Sequence, residues 1–134
     1  MQAYQENKKL ENTVIFYRKK TGKKEIELQK TIAKMLEDQK IEIYKTVAEL
    51  AAKLRSTCHD RMIIILLVSD EKDFRDILAI KSLLDGVRIV LILPNANDEM
   101  VAMGHSIHPR FLSYIDGNFQ EVAAVLEKIE RPRV

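Results

Sequence analysis

The sequence predicts a single α/β domain: a parallel sheet, doubly wound, with helices on both faces. Two observations lead there. Five short apolar runs recur along the chain, at Thr13–Tyr17, Ile41–Tyr44, Met62–Val68, Val87–Leu93 and Arg110–Ile115. Each is followed by a stretch with apolar residues at helical spacing. Parallel strands need a crossover, and a helix is its usual form. Length agrees, since 134 residues suit one domain of about 100–150 residues. With 46% hydrophobic residues, the chain can build a core without a metal or disulfide.

Residues 1–12 (MQAYQENKKLEN) show little apolar periodicity and read as a polar leader. Thr13–Tyr17 is a strand by its β-branched and aromatic content. A basic turn follows, and then a helix striped by Leu28, Ile32, Met35 and Leu36 that stops near Glu37-Asp38. Ile41–Tyr44 alternates apolar with polar residues, as a strand solvated on one face does. Thr46 and Glu49 form a capping box, and Val47, Leu50, Ala51 and Leu54 continue at helical spacing. Met62–Val68 is apolar throughout, the mark of a strand covered on both faces. Ser69-Asp70-Glu71 caps a helix that bears Phe74, Ile77, Leu78 and Leu84 and ends at Asp85-Gly86. Val87–Leu93 is again nearly all apolar, and Pro94–Asn97 turns into a short helix with Gly104 as its stop. After the strand Arg110–Ile115, Asn118-Phe119-Gln120-Glu121 opens a last helix striped by Val122, Val125, Leu126 and Ile129. The domain is expected to span 13–130, with 131–134 as a short basic tail.

Strand character also predicts order. The third and fourth strands are uniformly apolar and belong in the centre, whereas the second alternates and the fifth is interrupted by Ser113. Both interrupted strands suit edges, as the doubly wound order 2-1-3-4-5 requires.

Composition narrows the function. The 22 basic and 20 acidic residues leave a net charge of +2, too small to argue for nucleic acid or a membrane surface. No basic start with a long apolar region marks a signal peptide. Met62–Val68 falls far short of the roughly 20 residues that span a bilayer. Cys58 is the only cysteine, so no intrachain disulfide forms and a cytoplasmic, reducing setting is expected. His59 beside it does not make a catalytic pair, because sequence neighbours seldom have the geometry.

This succession of elements resembles the receiver domain of bacterial response regulators, a flavodoxin-like fold. The resemblance covers about Thr13 to Ile129 and rests on element order and pattern. It implies a three-layer sandwich with its chemistry at the carboxyl ends of the strands. Receivers carry a Mg²⁺-binding acid pair after strand 1 and a phospho-accepting Asp at the end of strand 3. A Ser or Thr ends strand 4, and a Lys ends strand 5. This chain has Arg18 and Lys19 after strand 1, Leu93-Pro94 after strand 4, and Phe111–Ile115 without Lys in strand 5. Only Asp70 lies near the phospho-acceptor position, a residue or two late, and an acid there also complements a helix dipole. The expectation is a pseudo-receiver: an interaction module in bacterial signalling, without phosphoryl chemistry, metal or cofactor. Flavin is not expected, because only Thr21 and Gly22 could serve as the phosphate loop that flavodoxins need.

Three candidate sites emerge. The first is the basic loop Arg18, Lys19, Lys20, Thr21, Gly22, Lys23 and Lys24, beside the switch point between strands 1 and 3, where open α/β sheets bind ligands. It supports an alternative reading as an anion- or nucleotide-binding protein, with Asp70, Asn95 and Asp116 around the rim. A full P-loop fails, because Tyr17 occupies the place of its first glycine. The second is His105 and His108. Pro109 makes their segment a loop and no third ligand lies nearby, so a structural turn is expected. The third is the surface of the fourth helix, fifth strand and fifth helix, the face receivers use for partners. It contains Met100, Met103 and Tyr114, with Phe111 and Phe119, and implies a protein partner or a homodimer.

Overall fold

The computed structural model describes residues 13–36, 39–56, 62–117 and 119–130. Strand β1 (Thr13–Arg18) leads to α1 (Lys23–Met35), β2 (Ile41–Tyr44) to α2 (Val47–Ser56), and β3 (Met62–Leu67) to α3 (Glu71–Leu78). After a 3₁₀ turn at Lys81–Leu84 come β4 (Arg88–Leu93), α4 (Asp98–His105), β5 (Phe111–Tyr114) and α5 (Phe119–Glu130). The strands form one sheet in the order β2-β1-β3-β4-β5. Every neighbouring pair is parallel. The predicted class and strand order are those observed.

Pleating sorts alternate side chains onto two cores. On one face Ile15, Tyr17, Ile64, Leu66, Ile89 and Leu91 pack with α2, α3 and α4 through Leu50, Leu54, Phe74, Ile77 and Met100. On the other, Val14, Phe16, Ile63, Ile65, Val90 and Ile92 pack with α1 and α5 through Leu28, Ile32, Val122 and Leu126. All six residues of β3 are buried, which is why its sequence shows no alternation. The edge strand β2 leaves Ile43 39% exposed.

Two helix ends differ from the sequence expectation. The α3 helix stops at Leu78 and does not run to Asp85. Ile80 and Leu83 instead donate to the carbonyls of Ile77 and Ile80, three residues back. This tighter winding turns the chain toward β4 while keeping Leu84 and Val87 in the core. Gly86, at φ +82°, completes the reversal in a conformation that suits glycine. Gly104 does not stop α4; it lies inside the helix, and Ser106 is the C-cap. A Cβ at Gly104 would stand 3.0 Å from Leu91 Cδ2 and 3.4 Å from Leu112 Cδ1. The missing side chain lets α4 sit close on β4 and β5. Residues 1–12 and 131–134, Cys58, His59 and Asn118, as well as the stop at Glu37-Asp38, lie outside the described residues.

Candidate functional site

Successive residues at the end of β1, Tyr17 and Arg18, point to opposite faces of the sheet. Tyr17 is fully buried. Its hydroxyl donates to Asp73 Oδ1 at 2.7 Å. Asp73 Oδ2 accepts from the Ser69 backbone N–H and hydroxyl, each at 3.0 Å. The Asp73 N–H in turn donates to Asp70 Oδ1 at 2.8 Å. Asp70 and Asp73 thus make a capping box at the start of α3, with the back-bond falling on Ser69. The α2 box is displaced likewise: Glu49 N–H donates to Thr46 Oγ1 at 3.1 Å, and Glu49 Oε1 accepts from Lys45 N at 3.4 Å. Burial, then the hydrogen bond to Asp73 and its charge, drive the Tyr17 phenol well above its ordinary pKa. It stays a neutral donor.

Arg18 is not part of the exposed turn. It is the last residue of β1, buried, and paired in register with Leu67 of β3. Its Nε donates to Gln29 Oε1 of α1 at 2.6 Å, and among the described residues its buried Nη1 has no hydrogen-bond partner. Lys19, Lys20, Thr21, Gly22, Lys23 and Lys24 are exposed. Lys20 Nζ lies 4.0 Å from Asp70 Oδ2. Gly22 is the N-cap of α1, without a side-chain capping bond. The Glu25 carboxylate lies against it and supplies the negative charge a helix start favours.

The rest of the rim is structural. Asn95 Oδ1 accepts from Asn97 N at 3.0 Å, and Asn97 caps α4 by accepting from Glu99 N at 2.8 Å and Met100 N at 3.3 Å. Asp116 lines a shallow groove of about 430 Å³ with Lys24, Glu27, Thr31 and Phe119. Leu93 ends β4 fully buried. Where the resemblance implies a Mg²⁺-binding acid pair, β1 ends in buried Tyr17 and Arg18 and continues into Lys19, so this donor set does not fit the cation. Among the described residues no group of three His, Cys, Asp or Glu side chains is arranged to hold a metal.

His105 ends α4, and exposed His108 takes φ 52° in the turn before Pro109, at the amino end of β5 and away from the rim. The third candidate surface changes more. Met100 is only 4% exposed and packs in the core, because α4 lies close on the sheet. Met103 and Tyr114 are half-buried against the same core, and Phe111 and Phe119 against the other.

Sequence reasoning missed Tyr17, Ser69, Asp73 and Gln29. For Asp73 a signal existed. It stands four residues before Ile77 and seven before Ile80, on the apolar stripe, and three after Asp70. A carboxylate on a buried stripe requires partners.

A five-stranded 2-1-3-4-5 sheet between two helical layers, with its polar groups at the carboxyl ends of β1 and β3, defines a receiver-like α/β domain. Solved structures agree. The chemotaxis response regulator CheY4 of Vibrio cholerae matches with TM-score 0.64 at 16% identity, over 89% of this chain and 98% of that one. A putative pilus assembly-related protein of Burkholderia pseudomallei matches with TM-score 0.62 at 11% identity, over 90% of both chains. The CheY-like protein TadZ of Pseudomonas aeruginosa matches with TM-score 0.57 at 14% identity, over 92% and 98%. At these identities the likeness is one of fold. No family model matches the sequence, and no curated protein matches it.

Proposed function

We propose that this chain is a receiver-like interaction module of bacterial signalling or regulation that has kept the receiver scaffold without Mg²⁺-dependent phosphoryl transfer. One observation carries the reading. Where a receiver needs two carboxylates at the close of strand 1, β1 of this chain ends in buried Tyr17 and Arg18 and runs on into exposed Lys19, with no acid among them. A divalent cation offsets charge on the transferring phosphoryl oxygens, and a fixed guanidinium repels that cation. Asp70, the nearest acid to the phospho-acceptor place, is committed through Oδ1 to capping α3. Structural neighbours in chemotaxis and pilus assembly support a regulatory role. The face of α4, β5 and α5 is the proposed partner surface, with Met103 and Tyr114 as its half-buried apolar residues.

The test is titration of beryllofluoride with Mg²⁺, followed by amide NMR. No Mg²⁺-dependent shift at residues 68–73 is expected; saturable, Mg²⁺-dependent binding there would make the chain a working receiver. Light scattering at high micromolar concentration tests self-association through the α4–β5–α5 face, and monomer throughout would remove the homodimer.

A further inference from the structure

A guanidinium removed from water is costly unless an anion or a full set of acceptors replaces its hydration. Arg18 is 6% exposed. Its Nε bonds to the neutral amide of Gln29, and among the described residues its buried Nη1 has no hydrogen-bond partner. Among the described residues no carboxylate lies within ion-pair distance of it. Across the sheet, Asp73 is engaged by Tyr17 and Ser69 and Asp70 by the α3 cap and Lys20, while on the α1 side the Glu25 carboxylate, one turn before Gln29, lies against Gly22. Among the described residues, therefore, a buried positive charge is left without a counter-charge.

Its place in the fold matters as much as its pairing. Arg18 closes β1 opposite Leu67, the last residue of β3, at the point where strand order reverses in the 2-1-3-4-5 sheet. Open α/β sheets bind ligands just outside the carboxyl ends of such strands. The exposed residues that follow, Lys19, Lys20, Lys23 and Lys24, make the approach positive. Residues 19–22, which join Arg18 to α1, lie outside helix and strand.

We propose that the β1–β3 switch point binds a compact oxyanion of the phosphate type, with the Arg18 guanidinium as principal partner and the flanking lysines as steering charges. A guanidinium suits this ligand because its planar N–H donors match tetrahedral oxyanions and keep their charge at every working pH. The site does not depend on the signalling role: it inverts the charge that a receiver places here, whatever partner the module has.

The anion can be free phosphate or the phosphate of a nucleotide, and two arms of one experiment separate them. The full chain is titrated in EDTA, at constant ionic strength, with inorganic phosphate in one arm and ATP or ADP in the other. Melting temperature and the amide signals of residues 17–24 are followed. Saturable binding is expected, weakened about tenfold or more in Arg18→Met and less in Lys19→Gln or Lys20→Gln, as befits a charge-assisted fork against mobile point charges. Arg18→Met also removes an unpaired buried charge, so in anion-free buffer it should melt no lower than wild type. Binding in the phosphate arm identifies the free anion, and binding in the nucleotide arm alone identifies a nucleotide phosphate. No binding in either arm overturns the proposal, and so does equal binding by Arg18→Met, which leaves only ion condensation on the lysines. A Mg²⁺-dependent beryllofluoride response would remove the proposed function and leave this Mg²⁺-free result standing.

Discussion

Asp73 is the residue whose removal should cost most at the rim. Its carboxylate is fully buried and accepts from Tyr17 Oη, Ser69 N and Ser69 Oγ. Asp73→Ala deletes all three bonds. Ser69 is only half-buried and regains water in part, so the stranded group that counts is the Tyr17 hydroxyl. A buried donor without an acceptor costs about 1–3 kcal/mol, and bonds to charged groups contribute roughly 1.5–3 kcal/mol each. Taking the stranded hydroxyl with one lost charge-assisted bond gives a loss of roughly 2.5–6 kcal/mol, a large part of a typical stability of about 5–15 kcal/mol. Tyr17→Phe keeps the ring and leaves Asp73 its two Ser69 donors, so by itself it should cost about 1.5–3 kcal/mol. In the Asp73→Ala background the sign changes. There Tyr17→Phe removes a stranded donor, and it should be neutral or stabilising. Urea denaturation of the four proteins, followed by circular dichroism, completes this double-mutant cycle. Equal costs for Tyr17→Phe in both backgrounds, or a cost under about 1 kcal/mol for Asp73→Ala, would refute the reasoning. The same bond has a pH signature. The Tyr17 pKa is raised in the folded state. Its contribution is therefore complete below the unfolded tyrosine value of about 10 and is lost as pH rises beyond it. Tyr17→Phe should be the less alkali-sensitive protein relative to its own neutral stability.

Other outcomes follow from local geometry. Gly104→Ala gains about 1 kcal/mol of helix propensity but drives a Cβ to 3.0 Å from Leu91 Cδ2. Overpacking costs about 1–3 kcal/mol, so calorimetry should show a lower melting temperature. Gly86→Ala has open space around its Cβ but keeps φ at +82°, for a loss of roughly 1–2 kcal/mol that Gly86→Asn should partly recover in the same assay. Glu42 accepts from Tyr44 Oη at 2.7 Å and pairs with Lys53 Nζ at 3.2 Å, fastening β2 to α2. Burial alone would raise its pKa, but these two partners prevail and lower it. Burial and then Glu42 push Tyr44 up to about 12. The stability that Glu42 adds is complete above its unfolded pKa of about 4.3 and is lost as pH falls through the lower folded value. Wild type and Glu42→Gln should therefore converge in acid denaturation, and a gap unchanged at low pH would refute the pairing.

Much of the scaffold was legible because periodicity is a local property. The unbroken apolar run of β3 marked a central strand, the alternation of Ile41–Tyr44 marked an edge, and Thr46 with Glu49 marked the start of α2. Helix ends were less so. Gly104 looks like a stop by residue type, yet its role is to let α4 approach Leu91 and Leu112, residues on two other elements. Met100 looks like a contact residue until the sheet beneath α4 buries it.

The chain's own pattern determined the layers, the parallel sheet and the order 2-1-3-4-5, since burying alternate or continuous apolar faces leaves few other arrangements. Tertiary structure decided the chemistry of the rim. Tyr17 and Asp73 stand 56 positions apart in sequence, and no local rule links a strand aromatic to a helix acid at that distance. Arg18 reads as one of five cations in a turn, and the fold separates it from Lys19, Lys20, Lys23 and Lys24 by drawing it under α1. Burial removes water as a partner, and only then does the pairing of a single polar atom carry weight.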